Sequence, residues 1–270
     1  MKKTSPPSSI SNNACGCSDG CCTIYEKSWV RDFLGDSFHP GGIELTQRSI
    51  ESLGLAPRSR ILDLACGTGI TARLFAEKGH LVIGLDASAN QVENARNQSS
   101  NTEGIRFIQG QAESPDPDLG TFNALFCECA FSLIENKVLA ARNWFDRLMP
   151  GGLIALSDMI VNGQLPESLT GQVGSWACLG GALSQKAYEQ HLLDAGFRNI
   201  QYSDERDAVI EGISTLKRKL LLYGISNLAE VVEDIGVSLP ELHRALKDAA
   251  QAVKDNELTY GRFVAEKPIV

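Results

Sequence analysis

The chain has 270 residues, of which 43% are hydrophobic, and a formal net charge of -8 at pH 7. This length allows one elaborated domain or two small ones with a large buried core. The negative charge argues against a nucleic-acid-binding protein, because phosphate contacts need clustered Lys and Arg.

The N-terminal segment lacks the features of an export signal. Met1-Lys2-Lys3 is followed by polar residues where a signal peptide needs an apolar core, and no run of about 20 apolar residues follows that could span a membrane. We therefore expect a cytoplasmic protein without a membrane partner. In a reducing cytosol, the eight cysteines are better interpreted as thiols or ligands than as disulfides.

Four of these cysteines lie close together in residues 1–22, namely Cys15, Cys17, Cys21 and Cys22. The surrounding Ser, Asn, Gly and Pro predict a flexible Cys-rich arm. Two interpretations remain open for the cluster: a zinc or soft-metal knot, or a mobile arm that captures a metalloid. Residues 23–58 follow with apolar residues at helical spacing and a break at 39–42, which predicts a helical lid segment.

Residues 59–208 alternate between strand and helix patterns. Short connections between such elements predict a mostly parallel sheet covered by helices on both faces, an α/β fold. The predicted helices are 70–78, 89–97, 137–148 and 185–195. The predicted strands are 60–64, 81–85, 105–109, 124–127, 153–157 and 199–203, with a seventh, closing strand at 260–265.

The region 209–257 has a helical pattern and no linker composition. We therefore interpret it as a helical insertion or cap near the C-terminus of one domain. Residues 258–270 supply the closing strand and a tail.

The segment Gly67-Thr68-Gly69 follows the first strand and opens a helix, where the chain must approach a ligand closely. The glycines alone also satisfy the dinucleotide fingerprint. Asp63 lies at the end of the same strand, where its carboxylate would attract an ammonium group and repel a pyrophosphate. Asp86 ends the next strand, where it can accept hydrogen bonds from two ribose hydroxyls. The alternative is purely structural, with Asp63 as a helix cap and Asp86 as a turn residue.

These residues resemble the class I S-adenosylmethionine-dependent methyltransferases, over residues 40–205. The resemblance implies a Rossmann-like, seven-stranded fold and S-adenosylmethionine as cofactor. Further matching segments are Gly110-Gln111-Ala112-Glu113, Leu148-Met149-Pro150-Gly151-Gly152 and Ala195-Gly196-Phe197. Gln111 and Asn123 depart from the family, which more often has Asp at both positions. The resemblance implies a cofactor site made of His39, Asp63, Ala65, Cys66, Gly67, Thr68, Gly69, Asp86, Ala87, Gln111, Ala112, Glu113 and Cys127.

Two further segments are similar to the arsenite methyltransferases: Cys127-Glu128-Cys129-Ala130 after the fourth strand and 178–183, Cys-Leu-Gly-Gly-Ala-Leu, after the fifth. The likeness implies that Cys129 and Cys178 bind trivalent arsenic, or a related thiophilic acceptor, as substrate. The arsenic lone pair would take the methyl group by direct in-line displacement, without a general base. Because a free thiol has a pKa of about 8.5, neighbouring charge or the arsenic itself must favour the thiolate.

At one position the chain differs from the arsenite methyltransferases. The arsenite enzymes have another cysteine ahead of the first strand, where this chain has Asp36. Cys21 or Cys22 could supply the missing thiol. For Cys66 and Cys127, burial as small apolar residues is the preferred interpretation.

Three alternatives remain open. The acceptor could be a small organic molecule, such as a quinone-like or secondary-metabolite compound. The chain could instead be a non-catalytic metal- or thiol-binding protein, which intact cofactor residues argue against. An NAD-dependent oxidoreductase is disfavoured by Asp63. The sequence predicts a small-molecule substrate and no nucleic-acid partner, and it makes no prediction of oligomeric state.

Overall fold

The computed structural model of the protein describes residues 39–222, 232 and 236–269. The predicted Cys-rich arm, Asp36 and the whole of the lid segment before the break, 23–38, lie outside these residues. Among the helices in the described ranges, none is long and apolar enough to cross a membrane.

Seven strands form a single sheet in the order β3-β2-β1-β4-β5-β7-β6. All neighbouring strands are parallel except at β7, which is antiparallel to both β5 and β6. The strands are β1 (Arg60–Leu64), β2 (Leu81–Asp86), β3 (Ile105–Gln109), β4 (Phe122–Glu128), β5 (Leu148–Val161), β6 (Arg198–Asp204) and β7 (Leu258–Glu266).

The strand order reverses between β1 and β4. The chain moves outward from β1 to β3 and then returns to pair β4 with β1, with Leu64 opposite Cys127. In open α/β sheets, ligands bind beyond the carboxyl ends of the strands at this switch point. A ligand-binding site is therefore expected at the loops that follow β1 and β4.

Helices cover both faces of the sheet, as the sequence predicted. The helices are α1 (Gly42–Ser52), α2 (Ile70–Glu77), α3 (Ala89–Gln98), α4 (Lys137–Arg147), α5 (Gly171–Trp176), α6 (Gln185–Ala195), α7 (Arg206–Leu222) and α8 (Leu239–Lys254). Alternate residues of β4 point to opposite faces: Ala124 and Phe126 pack with α1, α2 and α3, whereas Leu125 and Cys127 pack with α4 and α6.

Helices α7 and α8 lie in the chain between β6 and β7, within the region predicted to be helical. Their apolar side chains share one buried cluster with Met159, Cys178 and Tyr260. Pro240 and a capping box between Ser238 and Glu241 fix the start of α8, which satisfies amide groups that a helix leaves free. The two helices thus cover the side chains at the carboxyl end of β5.

The prediction for the fifth strand was too short. It covered 153–157, whereas β5 spans Leu148–Val161. The antiparallel pairing of β5 with β7 continues to Val161 opposite Leu258, so the end of the strand has hydrogen-bonding partners that local sequence does not reveal. Asp158 is consequently a buried strand residue.

Candidate functional site

The loop after β1 has an unusual backbone. Ala65, Gly67 and Gly69 have φ angles of 55, 52 and 78°. The amide of Gly69 donates to the carbonyl of Cys66 at 2.8 Å, and the amide of Cys66 donates to Leu85 at the end of β2 at 3.0 Å. A positive φ at Ala65 costs free energy in an L-residue, so the surrounding contacts must hold this loop in shape.

The two glycines of the loop have different roles. A Cβ added at Gly69 would lie 2.5 Å from the ring of Phe107 on β3, so this glycine permits close packing of the α2 start on the sheet. A Cβ added at Gly67 would meet no described atom within 4 Å. Gly67 therefore faces space that the described residues leave open, where the sequence predicts cofactor contact.

Asp86 connects the ends of β1 and β2. Its Oδ2 accepts a hydrogen bond from the amide of Gly67 at 2.8 Å, and its Oδ1 accepts from the amide of Ser88 at 2.9 Å. Each carboxylate oxygen can accept more than one hydrogen bond. Asp86 thus fixes the loop, and its contact with the ribose hydroxyls stays a prediction.

Asp63 is 3% exposed, and within the described residues its Oδ2 has no hydrogen-bond partner. Burial raises the pKa of its carboxyl well above the usual value, and the nearby charges of Glu128 and Asp86 raise it further. An unpaired buried carboxylate is costly unless a cation or donor reaches it. This buried oxygen without a partner fits the positively charged amino-acid end of S-adenosylmethionine.

The remaining residues predicted to bind the cofactor lie around the same loops. Trp144 and Asn143 donate to the carbonyls of Ala112 and Glu113 at 2.7 and 2.9 Å, which anchors the loop after β3 to α4. Cys127 is fully buried against α4 and α6. Its thiol is therefore in the core, in agreement with the packing interpretation, and ligand contact by this residue would have to come from its backbone.

Four side chains meet beside the loop after β4. Glu128 accepts hydrogen bonds from the hydroxyls of Thr46 and Thr71 at 2.9 and 2.8 Å. The Nε2 atom of His39 lies 3.6 Å from Glu128 and 3.1 Å from Thr46, and Nδ1 lies 3.0 Å from the carbonyl of Pro40. Both His39 nitrogens thus have neighbours within the chain, and the predicted contact of His39 with the cofactor stays a prediction.

Cys129 and Cys178 are brought together from the loops after β4 and β5. The thiol of Cys178 donates to the carbonyl of Cys129 at 3.4 Å, and the two thiols are hydrogen-bonded neighbours. Both residues have positive φ angles, 51 and 57°. Strained non-glycine residues of this kind cluster at functional sites. We call these two residues the thiol pair.

The surroundings of Cys129 do not favour its thiolate in the free protein. The hydrogen bond with Cys178 raises the pKa of Cys129 well above the usual value, and burial and the charges of Asp158 and Glu128 act in the same direction. Of the two predicted causes of deprotonation, neighbouring charge does not act at Cys129, and the effect of bound arsenic stays a prediction.

The motif at 178–183 has a packing role that sequence reasoning missed. A Cβ at Gly181 would lie 2.2 Å from the carbonyl oxygen of Ser132 and 3.2 Å from Nζ of Lys137. The loop carrying Cys178 thus rests directly on the loop that follows Cys129. A glycine at position 181 is required to bring the two cysteines together.

Asp158, also missed, lies beneath these loops. It is fully buried and accepts hydrogen bonds from the amides of Ser132 and Met159 at 2.6 and 2.8 Å. Burial raises the pKa of Asp158 to about 6, against the opposing effect of these bonds and of Lys137. An acidic residue within an apolar strand would have indicated Asp158 as a candidate. The predicted fifth strand ended at 157, however, so Asp158 was not recognised as a strand residue.

No cluster of three or more His, Cys, Asp or Glu side chains suited to a metal ion occurs in the part of the chain that the structure describes. The thiol pair therefore offers two soft ligands there. Cys21 and Cys22, proposed to complete the set, lie outside the described residues.

Comparison with known proteins agrees with this geometry. Residues 61–152 match the family model of a methyltransferase domain. Phosphoethanolamine N-methyltransferase 1 of Arabidopsis thaliana is 26% identical over 247 residues, 90% of this chain and 48% of that protein. An arsenite methyltransferase of Halobacterium salinarum is 26% identical over 167 residues, 57% of this chain and 41% of that protein. The chain spans about half the length of the curated relatives it matches.

The solved structure of Haemonchus contortus phosphoethanolamine N-methyltransferase 2, in complex with S-adenosyl-L-methionine, has the same fold. The TM-score is 0.72 at 20% identity, over 92% of this chain and 57% of that one. Residues 61–152 are thus similar to a methyltransferase domain, and they lie in a seven-stranded, Rossmann-like sheet of the methyltransferase fold.

Proposed function

We propose that the protein transfers a methyl group from S-adenosylmethionine to a trivalent arsenical, or to a related thiophilic acceptor, held by Cys129 and Cys178. The observation that carries this proposal is the contact between the two thiols at the carboxyl ends of adjacent strands β4 and β5. We expect the protein in the cytoplasm, where a reducing environment keeps both thiols free.

The bound cofactor would supply an activated methyl group on a positively charged sulfur. Gly67 and Gly69 shape the loop that would admit it, and Asp86 at the end of β2 would accept from the ribose hydroxyls. Asp63 offers its unpaired oxygen to the ammonium group. These residues bind and orient, and none of them needs to exchange a proton.

The high pKa of Cys129 is compatible with the chemistry of the acceptor. A trivalent arsenic hydroxide exchanges two hydroxide ligands for two thiols, and each thiol proton leaves with a hydroxide as water. No separate base is required. The thiol pair then holds the acceptor in place, and alignment of this kind can contribute about 7 to 11 kcal/mol to lowering the barrier.

A second candidate is the methylation of a small amine. The likeness to phosphoethanolamine N-methyltransferases covers more of the chain than the likeness to the arsenite enzymes, at the same 26% identity. Glu128 and Asp158, the carboxylates beside the thiol pair, would also suit a cationic acceptor. In this case the thiol pair would contribute packing only.

One experiment separates the two candidates. The full chain is incubated with methyl-labelled S-adenosylmethionine and, separately, with arsenite, methylarsenite, selenite, a small thiol and phosphoethanolamine, and the products are identified. We expect transfer to a trivalent arsenical that is lost in Cys129→Ser and in Cys178→Ser. Both variants should still bind S-adenosylhomocysteine, which shows that they are folded. Transfer to the amine alone, or undiminished turnover of the arsenical in both variants, would reject the role of the thiol pair.

A further inference from the structure

Ser132 is held from both sides by charged groups. It is buried in a short turn, Phe131–Leu133, of the loop that follows Cys129. Its amide donates to Oδ2 of Asp158 in β5 at 2.6 Å. Its carbonyl accepts from Nζ of Lys137, the first residue of α4, at 3.0 Å. Because hydrogen bonds to charged groups are stronger than those between neutral groups, a carboxylate and an ammonium group together fix this residue.

The two charges act on each other across Ser132. Burial lowers the pKa of Lys137, and the charge of Asp158 opposes this effect. Burial raises the pKa of Asp158 to about 6, and the bonds from Ser132 and the charge of Lys137 oppose that effect. Nζ of Lys137 also donates to the carbonyl of Ile134 at 2.8 Å and lies 6.0 Å from the ring centre of Phe131. Lys137 therefore fixes the loop after β4 along its length.

This loop supports the segment that carries Cys178. Gly181 follows Cys178 in the same segment, and a Cβ added to it would lie 2.2 Å from the carbonyl oxygen of Ser132. The same Cβ would lie 3.2 Å from Nζ of Lys137, so Gly181 rests on the two groups that this hydrogen bond joins. The position of the Ser132 carbonyl therefore sets how closely the segment with Cys178 approaches the loop after Cys129.

We propose that Lys137 is a positioning residue for the acceptor site, and that it acts with Asp158 through Ser132 to hold the thiol pair at a distance that suits chelation. The inference rests on the proposed function, because it concerns the same two thiols. An ammonium group has no lone pair with which to bind arsenic, so Lys137 acts through the loop and not on the acceptor. Two soft ligands that share one atom must keep their separation within narrow limits.

Lys267 offers a matched control. Its Nζ also donates to two backbone carbonyls, of Phe145 at 2.9 Å and of Leu148 at 2.8 Å, and it lies 4.7 Å from the ring centre of Phe145. Leu148 begins β5, whereas the thiol pair lies beyond the carboxyl end of β4. Lys137→Met and Lys267→Met therefore remove the same kinds of contact at opposite edges of the sheet. Both should unfold at a lower urea concentration than the wild type.

The test measures how fast phenylarsine oxide leaves the thiol pair. The arsenical is bound to the full chain, excess dithiothreitol competes for it, and the bound fraction is followed by native mass spectrometry. We expect release from Lys137→Met to be about 10-fold or more faster than from the wild type, and release from Lys267→Met to stay within about twofold. Lys137→Arg should release more slowly than Lys137→Met, because a guanidinium group also donates to carbonyls. Serine replaces the N-terminal cysteines throughout: Cys15, Cys17, Cys21 and Cys22.

A second variant serves if Lys137→Met shows no cooperative unfolding transition in urea. Asp158→Asn leaves both carbonyl bonds of Lys137 in place and removes the charge at the amide of Ser132. We expect it to release the arsenical about threefold or more faster than the wild type, because a charged acceptor is replaced by a neutral one. Release at the wild-type rate would overturn the role of the charged pair.

The outcomes separate this inference from the proposed function. If phenylarsine oxide does not bind the thiol pair of the wild-type protein, the proposed function fails and the inference fails with it. If the arsenical binds, but Lys137→Met and Lys267→Met release it at equal rates and lose stability alike, the proposed function stands. Lys137 is then a structural contact only, and its positioning role is overturned.

Discussion

The thiol of Cys178 lies 3.4 Å from the carbonyl oxygen of Cys129, although 49 residues separate them in the chain. Two thiols in contact can chelate one trivalent arsenic atom, because both replace oxygen ligands on the same soft centre. We expect the protein to bind one equivalent of phenylarsine oxide at this pair. Either Cys129→Ser or Cys178→Ser should abolish that binding, as measured by native mass spectrometry.

The control for this measurement is a background in which Cys15, Cys17, Cys21 and Cys22 are serine, so that the N-terminal thiols do not bind the reagent. In that background Cys66→Ser should leave binding intact, because Cys66 packs beside Gly84 rather than at the thiol pair. Retention of the arsenical by Cys129→Ser would contradict the chelate.

Gly181 sets the distance between the two loops that carry the thiols. We expect Gly181→Ala to lower the free energy of unfolding by about 1 to 3 kcal/mol, the usual cost of overpacking, and to weaken arsenical binding. The added Cβ would lie 2.2 Å from the Ser132 carbonyl. Gly180→Ala is the matched control, because its Cβ would have no described neighbour closer than 3.9 Å. Urea unfolding with equal losses in both variants would contradict this role.

The sequence predicted those parts of the site that depend on local structure. Gly67, Gly69 and Asp63 belong to one strand-turn-helix unit, whose spacing determines the loop. The thiol pair was predicted from a family resemblance alone. Its contact depends on Gly181 resting on Ser132, and no local pattern indicates which loop a glycine will touch.

Residues whose roles depend on distant partners were missed. Glu128 is held by hydroxyls that are 82 and 57 residues away in sequence. Asp158 is in a strand only because β7, about a hundred residues later, pairs with it opposite Gly261. Tertiary pairing of this kind extends strands and buries charges beyond what periodicity indicates.

Gly67 should be needed for cofactor binding rather than for folding. We expect Gly67→Ala to lower the affinity for S-adenosylhomocysteine by about 10-fold or more, because the new Cβ enters the space for the ligand. The change also forces alanine to a φ of 52°, which costs about 1 kcal/mol. Gly79→Ala controls for this cost, since Gly79 has a φ of 83° and equally open surroundings. Equal affinities in the two variants, by calorimetry, would exclude a ligand at Gly67.

Asp158 should make stability depend on pH. Its pKa is raised to about 6 in the folded protein from the ordinary 3.8, so the folded state holds the proton more tightly than the unfolded state. The resulting stability is complete below pH 3.8 and is lost as pH rises through 6, a change of about 3 kcal/mol. Urea unfolding between pH 4 and 7 should show a shallower decline for Asp158→Asn than for the wild type. Parallel curves would contradict an ionisable, buried Asp158.

Asp63 should lower the stability of the ligand-free protein and increase its affinity for the cofactor. Burial and the charges of Glu128 and Asp86 disfavour its ionised form, so Asp63→Asn removes an unfavourable charge and adds an amide that can donate to those carboxylates. We expect the free energy of unfolding at pH 8 to rise, while the affinity for S-adenosylhomocysteine falls about 10-fold or more. The gain in stability should shrink as pH falls, because the wild-type carboxyl then becomes protonated. Lower stability with unchanged affinity would mean that Asp63 serves the fold and not the ligand.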